Sequence, residues 1–180
     1  MVVLALGLAG CARDGQRAER TSNDSVVAAE RTMDHAGHGS HAAASAATDS
    51  GAFAALQTRG QQAMGVDQYT SSHRFEPLAD GGRIVLQRDG ADSAGEATIR
   101  AHLRDVAARF AAGDFDVPAF VHSRDVPGAR AMAEGRATIR YTVHNLPRGG
   151  ELRIATSDAA MVAAVHAFLA FQRSDHRAEH

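Results

Sequence analysis

From residue 51 onward the apolar positions follow two periods in turn. Gly51 to Gly65 predicts a helix, with Phe53, Leu56, Gly60, Ala63 and Met64 on one face and Gly65 placed to end it. Gln68 to Pro77 alternates. Tyr69, Ser71, His73 and Phe75 fall on one side, and Thr70, Ser72, Arg74 and Glu76 on the other. Asp80-Gly81-Gly82 is a turn signal, and Arg83 to Arg88 is a returning strand with Ile84 and Leu86 inward. After a polar loop, Glu96 to Ala112 predicts a second helix whose stripe is Ile99, His102, Leu103, Val106 and Phe110. Asp114 to Asp125 reads as a connection carrying Phe115, Pro118, Phe120 and His122, and the turn at Pro127-Gly128 leads to a short segment with Met132.

The second half repeats the order. Arg136 to Leu146 predicts a strand with Ile139, Tyr141 and Val143 on one face. Pro147-Arg148-Gly149-Gly150 turns it, and Glu151 to Thr156 returns with Leu152 and Ile154 inward. Ser157 or Asp158 caps a last helix from Ala159 to about Arg173, with Val162, Val165, His166 and Leu169 on its stripe and Phe168 on one flank. The expected fold is α+β: an N-terminal helix, then two β-β-α units forming a four-stranded antiparallel sheet with helices on one face. On this reading His166 is the counterpart of His102, each on a helix that follows a Gly-Gly turn. Two ordinary hairpin–helix units alike by chance would give the same pattern.

The first fifty residues divide differently. Residues 1–11 are apolar and uncharged up to Leu8-Ala9-Gly10-Cys11, too short for a bilayer span of about 20 residues. That end resembles the lipobox of bacterial lipoproteins, which implies an export signal and lipidation at Cys11. Ala12, where an aspartate tends to retain such proteins at the inner membrane, implies the outer membrane. Residues 12–50 hold almost no large apolar side chains and read as a disordered tether. Residues 51–180 are left as one domain. Within the tether, Met33-Asp34-His35-Ala36-Gly37-His38-Gly39-Ser40-His41 spaces three histidines by three, a pattern able to wrap a metal ion and also common in solvated linkers.

Composition narrows the function. Net charge is −2, with nineteen arginines and no lysine, which argues against a nucleic-acid partner held by bulk charge. Cys11 is the sole cysteine, so no internal disulfide forms. Ten histidines are many for 180 residues. His73, His102 and His166 project toward the predicted core, where an unpaired polar group costs roughly 1–3 kcal/mol. Each alone is accommodated by a backbone carbonyl, a tyrosine or an aspartate. Together they point to one transition-metal site, copper first, with Met64 and Met132 as thioether ligands and with His122 and His176 at its rim. Haem b is the alternative cofactor, without covalent attachment because no Cys-x-x-Cys-His occurs. Acid–base catalysis by a histidine with Asp67, Glu76 or Asp175 is a third use. A non-catalytic domain that binds another envelope protein is a fourth. No catalytic or phosphate-binding motif is present.

Ala63-Met64-Gly65, Ser72-His73-Arg74-Phe75, Gly113-Asp114-Phe115, Pro127-Gly128, and His166 to Gln172 with Asp175-His176 resemble a family of small exported bacterial proteins of unknown function. Some of its members carry the label aspartate carbamoyltransferase. The residues do not support that activity, which needs a longer two-domain chain and a Ser-Thr-Arg-Thr loop. Many relatives have a second histidine where this chain has Arg74.

Overall fold

The computed structural model describes residues 38–178, and of these the side chains from residue 49 on. Cys11 and His35 lie outside the described residues, as do the side chains of His38 and His41. Helix α1 spans His38–Met64 and therefore begins well before Gly51. Ala42-Ala43-Ala44 and Ala46-Ala47 account for this, since alanine has the highest helix propensity. A 3-10 turn at Gln68–Thr70 leads into β1 (Ser71–Leu78) and β2 (Gly81–Arg88), and α2 (Ser93–Ala112) follows. Two short helices, α3 (Asp116–His122) and α4 (Ala129–Glu134), occupy the stretch expected to be a connection. A second 3-10 turn at Arg136–Thr138 precedes β3 (Arg140–Leu146), β4 (Gly149–Ala155) and α5 (Ala159–Asp175). The chain is α+β with a four-stranded antiparallel sheet, as its pattern predicts, and the strand order is β1-β2-β4-β3.

That order carries an approximate twofold axis, and the register fixes where it lies. Adding 68 to a residue number in the first hairpin gives its partner in the second. His73 faces Leu86 and Tyr141 faces Ile154; Phe75 faces Ile84 and Val143 faces Leu152. Where the two hairpins meet, Gly82 faces Ile154 while Leu86 faces Gly150, and Ile84 faces Leu152 at the axis itself. The same offset relates the two 3-10 turns, and it relates Gly60-x-x-Ala63-Met64 to Gly128-x-x-Ala131-Met132 just upstream. The repeat is therefore longer than two β-β-α units, because each copy begins with the helical turn ending in its methionine.

The helices cross over: α2 packs on β3 and β4, and α5 packs on β1 and β2. Asp92 and Asp158 cap them with side-chain bonds to backbone N–H groups of the first turn. Their offset is 66. Leu103 lies over Gly150 and Leu169 over Gly82, Ile99 and Val165 are both fully buried, and Arg100 and His166 bond the carbonyls of Leu146 and Leu78, themselves 68 apart. The loop before α2 is thus two residues longer than the loop before α5, and the expected pairing of His102 with His166 is corrected. His166 corresponds to Arg100, and His102 corresponds to Phe168. The inward stripe of α5 is accordingly rotated from the one expected: Ala164, Val165, Phe168, Leu169 and Gln172 are buried, while Val162 and His166 are only half-buried.

The paired Gly-Gly sequences do more than turn the chain. A Cβ on Gly81 would strike the Ile154 carbonyl and one on Gly149 would strike the Leu86 carbonyl, at symmetric places on the β2–β4 seam. Gly81 also has φ +134, which side chains rarely adopt. Glycine here lets the two halves join. On the face away from the helices, Arg83 pairs with Glu76 and Glu151, and the long side chains leave Val85 only 2% exposed.

Candidate histidine site

Between the helices and the β1–β2 half of the sheet lies a cavity of about 90 Å³. Four histidines line it from four elements: His73 on β1, His102 on α2, His122 at the end of α3 and His176 at the C-cap of α5. Met64, Phe75, Ile84, Leu103 and Phe168 supply much of the apolar wall. His73 reaches it because period two puts it on the helix-facing side of β1 beside Phe75. His176 reaches it because its N–H bonds to the Gln172 and Ser174 carbonyls hold the final turn in place.

The rings touch. His73 and His176 stack with centroids 5.3 Å apart and planes 12° from parallel, and Phe75 stands 5.5 Å from His176. His122 meets His176 edge-on at 5.0 Å and 90°. His122 is buried and engaged at both nitrogens: Nδ1 lies against the Asp175 carboxylate, and Nε2 donates to Gln172 Oε1 at 2.7 Å. Asp175 also takes Arg124. The neighbouring Arg177 pairs with Asp49 and lies over the Phe53 ring, 4.3 Å from its centroid. These contacts fasten the end of α5, and His176 with it, to α3 and α1.

Burial sets the protonation of the cluster. His73 is pushed down to about 4, by desolvation first and then by His102. His176 is pushed down to about 3, by desolvation and then by His73 and His122. His102 is lowered by desolvation as well. At neutral pH these three rings are uncharged, and among the described residues their nitrogens have no hydrogen-bond partner. Each neutral ring keeps one nitrogen lone pair, and all three rings line the cavity.

The symmetry shows what the other half places at the same positions. His73 corresponds to Tyr141, His102 to Phe168 and His176 to Phe110. Phe110 meets Tyr141 at 5.8 Å and Phe168 at 5.7 Å, both edge-to-face, and Phe115 stacks on it at 4.3 Å. The Tyr141 hydroxyl is buried with no partner and its pKa is pushed up by burial. One half therefore fills the three positions with aromatic packing, and the other fills them with imidazoles around a cavity.

Of the residues singled out in the sequence, His73, His102, His122, His176 and Met64 come together. His166 does not line the cavity, and its Nε2 donates to the Leu78 carbonyl at 2.9 Å. Met132 is fully buried in the core away from the cavity, as the symmetry counterpart of Met64. Tyr69 is 67% exposed, so His73 has aromatic neighbours other than the flanking tyrosine expected. Among the carboxylates, Asp175 meets His122, Glu76 binds Arg83 on the open face of the sheet, and Asp67 caps the first 3-10 turn. Arg74 lies on the open face with Glu76 and Gln87, so that position is across the sheet from the cavity. Gln68 and Gln172, both lining the cavity, carry no signal in the sequence, because glutamine in an amphipathic run reads as solvent-facing. No protein-family model, no curated protein and no solved structure matches this chain.

Proposed function

We propose that the folded domain binds a transition metal, copper first, through His73, His102 and His176 with Met64. The observation that carries this reading is the asymmetry between the halves. Packing needs only rings at the three positions, as Tyr141, Phe168 and Phe110 demonstrate, so imidazole there serves something other than packing. Uncharged imidazole and thioether together suit copper(I), and a neutral ring needs no proton removed before it ligates. Among the described residues no three His, Cys, Asp or Glu side chains already form a metal cage. The parallel stack of His73 and His176 keeps their in-plane lone pairs apart. Capture on this reading turns one of these rings about its terminal torsion, which is soft for histidine, within the cavity beside it. His122 is not a ligand in this scheme, because both its nitrogens are engaged. It steadies His176 from the side, much as groups beyond the ligand shell orient metal ligands elsewhere.

A second use of the site is favoured by one contact, the buried His122–Asp175 pair, which has the form of an oriented acid–base histidine. The bond of Nε2 to Gln172 leaves that ring no free nitrogen for a substrate, so metal binding is the better reading. Haem gains no support from a cavity of about 90 Å³, against the roughly 300–1,000 Å³ of pockets for larger ligands.

Purified protein exposed to copper under reducing conditions is expected to retain one ion per domain by elemental analysis. His102→Ala and His176→Ala are each expected to weaken retention at least about tenfold, and His166→Ala to leave it unchanged. Protein that stays metal-free, or equal retention by all three variants, would sink the proposal. We further propose that Cys11 anchors the chain to the cell envelope through lipid, facing the periplasm and at the outer membrane, with Met33 to His41 as an auxiliary trap for the ion. Radiolabelled palmitate should enter the wild-type chain in a Gram-negative host and be absent from Cys11→Ser. Equal labelling of both would overturn the anchor.

A further inference from the structure

The last turn of α5 borders a second concave feature besides the histidine cavity. It is a cleft of about 440 Å³ between α1, the residues after α3 and the end of α5, and one arginine from each of these segments lines it: Arg59, Arg124 and Arg177. Each guanidinium is braced. Arg59 Nε donates to the Val121 carbonyl at 2.7 Å. Arg124 bonds Asp175 at 2.5 Å and lies over the Phe171 ring, 4.7 Å from its centroid. Arg177 bonds Asp49 at 2.5 Å and lies over the Phe53 ring. Each arginine commits one of its three nitrogens to these bonds. Among the described residues Arg59 forms no ion pair, and the two carboxylates of the cleft are taken by its neighbours. Three guanidiniums against Asp49 and Asp175 leave a surplus of one positive charge.

Arg177 is placed there at a backbone cost. Its φ is +51, in the left-handed region that side chains rarely adopt. The helix α2 ends with the same pair of bonds, from Gly113 N–H to the Phe110 carbonyl and from Asp114 N–H to the Arg109 carbonyl, as α5 makes from Arg177 to Ser174 and from Ala178 to Arg173. In α2 the left-handed residue is glycine, the ordinary occupant of that position. The cleft is also foreign to the repeat. By the offsets that relate the strands and the long helices, Pro127 stands at the equivalent of Arg59 and Ala111 at the equivalent of Arg177. Packing of the other half does without both arginines, and a side chain held in a disfavoured conformation is a mark of ligand sites.

We propose that this cleft binds a small organic monoanion through its carboxylate. The guanidinium is a planar fork that matches a carboxylate edge to edge. One negative charge balances the surplus, whereas a phosphate dianion would exceed it beside Asp49 and Asp175. Ala52, Phe53 and Leu56 supply an apolar wall on the α1 side for the body of the ligand. The volume of the cleft lies within the roughly 300–1,000 Å³ of small-molecule sites. The inference does not rest on the bound ion.

The test is a ligand-observed NMR titration of the metal-free full-length protein with benzoate, beside benzyl alcohol as its neutral analogue and inorganic phosphate as the other oxyanion. Wild type is expected to bind benzoate with a Kd of about 1 mM or tighter, and the other two at least about tenfold more weakly. Arg177→Gly removes a guanidinium and suits the left-handed turn, so it is expected to fold and to bind benzoate at least about tenfold more weakly. Arg59→Gln is expected to lose as much. Arg104→Gln, exposed on α2 and outside the cleft, is expected to bind as wild type does. Wild type that does not bind benzoate overturns the site. Benzyl alcohol bound as tightly overturns the role of charge, and phosphate bound as tightly overturns the choice of a carboxylate. A folded Arg177→Gly that keeps full benzoate affinity removes the anion from this cleft. Far-ultraviolet circular dichroism guards against misfolding, and if Arg59→Gln is unfolded, Arg177→Gly carries the comparison.

Discussion

A chain carrying His73→Tyr, His102→Phe and His176→Phe together is expected to fold, to gain stability and to lose its metal. The substitutions copy into the first half the rings that the second half already uses, Tyr141, Phe168 and Phe110. Those rings sit on the same registers of the sheet and the same turns of their helices. Larger rings would fill part of the cavity in place of half-buried imidazoles, with the hydroxyl added at position 73 offsetting part of the gain as it does at Tyr141, so a net gain of up to about 1 kcal/mol at neutral pH is expected, in the range of cavity-filling changes. Copper retention should fall below detection. Chemical denaturation and elemental analysis on the same preparations measure both. A stable triple variant that still holds one copper would place the ion elsewhere. An unfolded one would show that the halves are not interchangeable at these positions, and the single variants would then identify the ring that does not fit.

Acid should destabilise the wild-type domain earlier than its carboxylates alone would. His73 and His176 titrate at about 4 and 3 in the folded chain and near 6.5 when unfolded. Between those values the unfolded state binds more protons, so stability falls as pH falls. The loss begins as pH drops through 6.5 and levels off only below about 3, where both states are protonated. Glu76, Asp80 and Asp114, held low by their arginines or by a backbone N–H, begin to contribute only near 4.5 and below. The interval from pH 7 to pH 5 is therefore governed by histidine. Melting temperature is expected to drop across it in the metal-free wild type and to change far less in the triple variant. A bound ion should protect the wild type over the same interval, because protons and metal compete for one set of lone pairs. A flat wild-type profile from pH 7 to pH 5 would show that these rings are not held neutral by burial.

The two expectations rest on a symmetry only partly legible in the sequence. The Gly-Gly pairs and the repeated strand–strand–helix order pointed to duplication. Counting from each turn to its helical histidine then paired the wrong residues, because the extra residues of the β2–α2 loop shift one helix against the other. Only the contacts of Leu103 and Leu169 with the turn glycines, and of Arg100 and His166 with the strand-end carbonyls, set that phase. The Gly60 and Gly128 segments share the strand offset in plain view, yet one is the end of a long helix and the other a six-residue helix, so periodicity alone does not link them. His122 illustrates the opposite case: near an element end it could only be assigned to a rim, and it proves to be the most completely bonded histidine of the cluster.

The sequence by itself determined the fold class, the strands and their inward faces, and the three long helices, because alternation and 3-4 spacing express which side of each element must leave water; α3, α4 and the rotated stripe of α5 escaped it. It also determined that His73 and His102 face inward. The tertiary structure decided the rest. Strand order and helix crossover depend on how two hairpins meet at Ile84 and Leu152, where the glycines leave room for the seam. That crossing brings His102, His122 and His176 beside His73, sends His166 to a carbonyl at the strand end, and leaves Gln68 Oε1 buried without a partner. A side chain's own segment fixes which way it points, but which other segments it meets is set by packing between elements far apart in the chain.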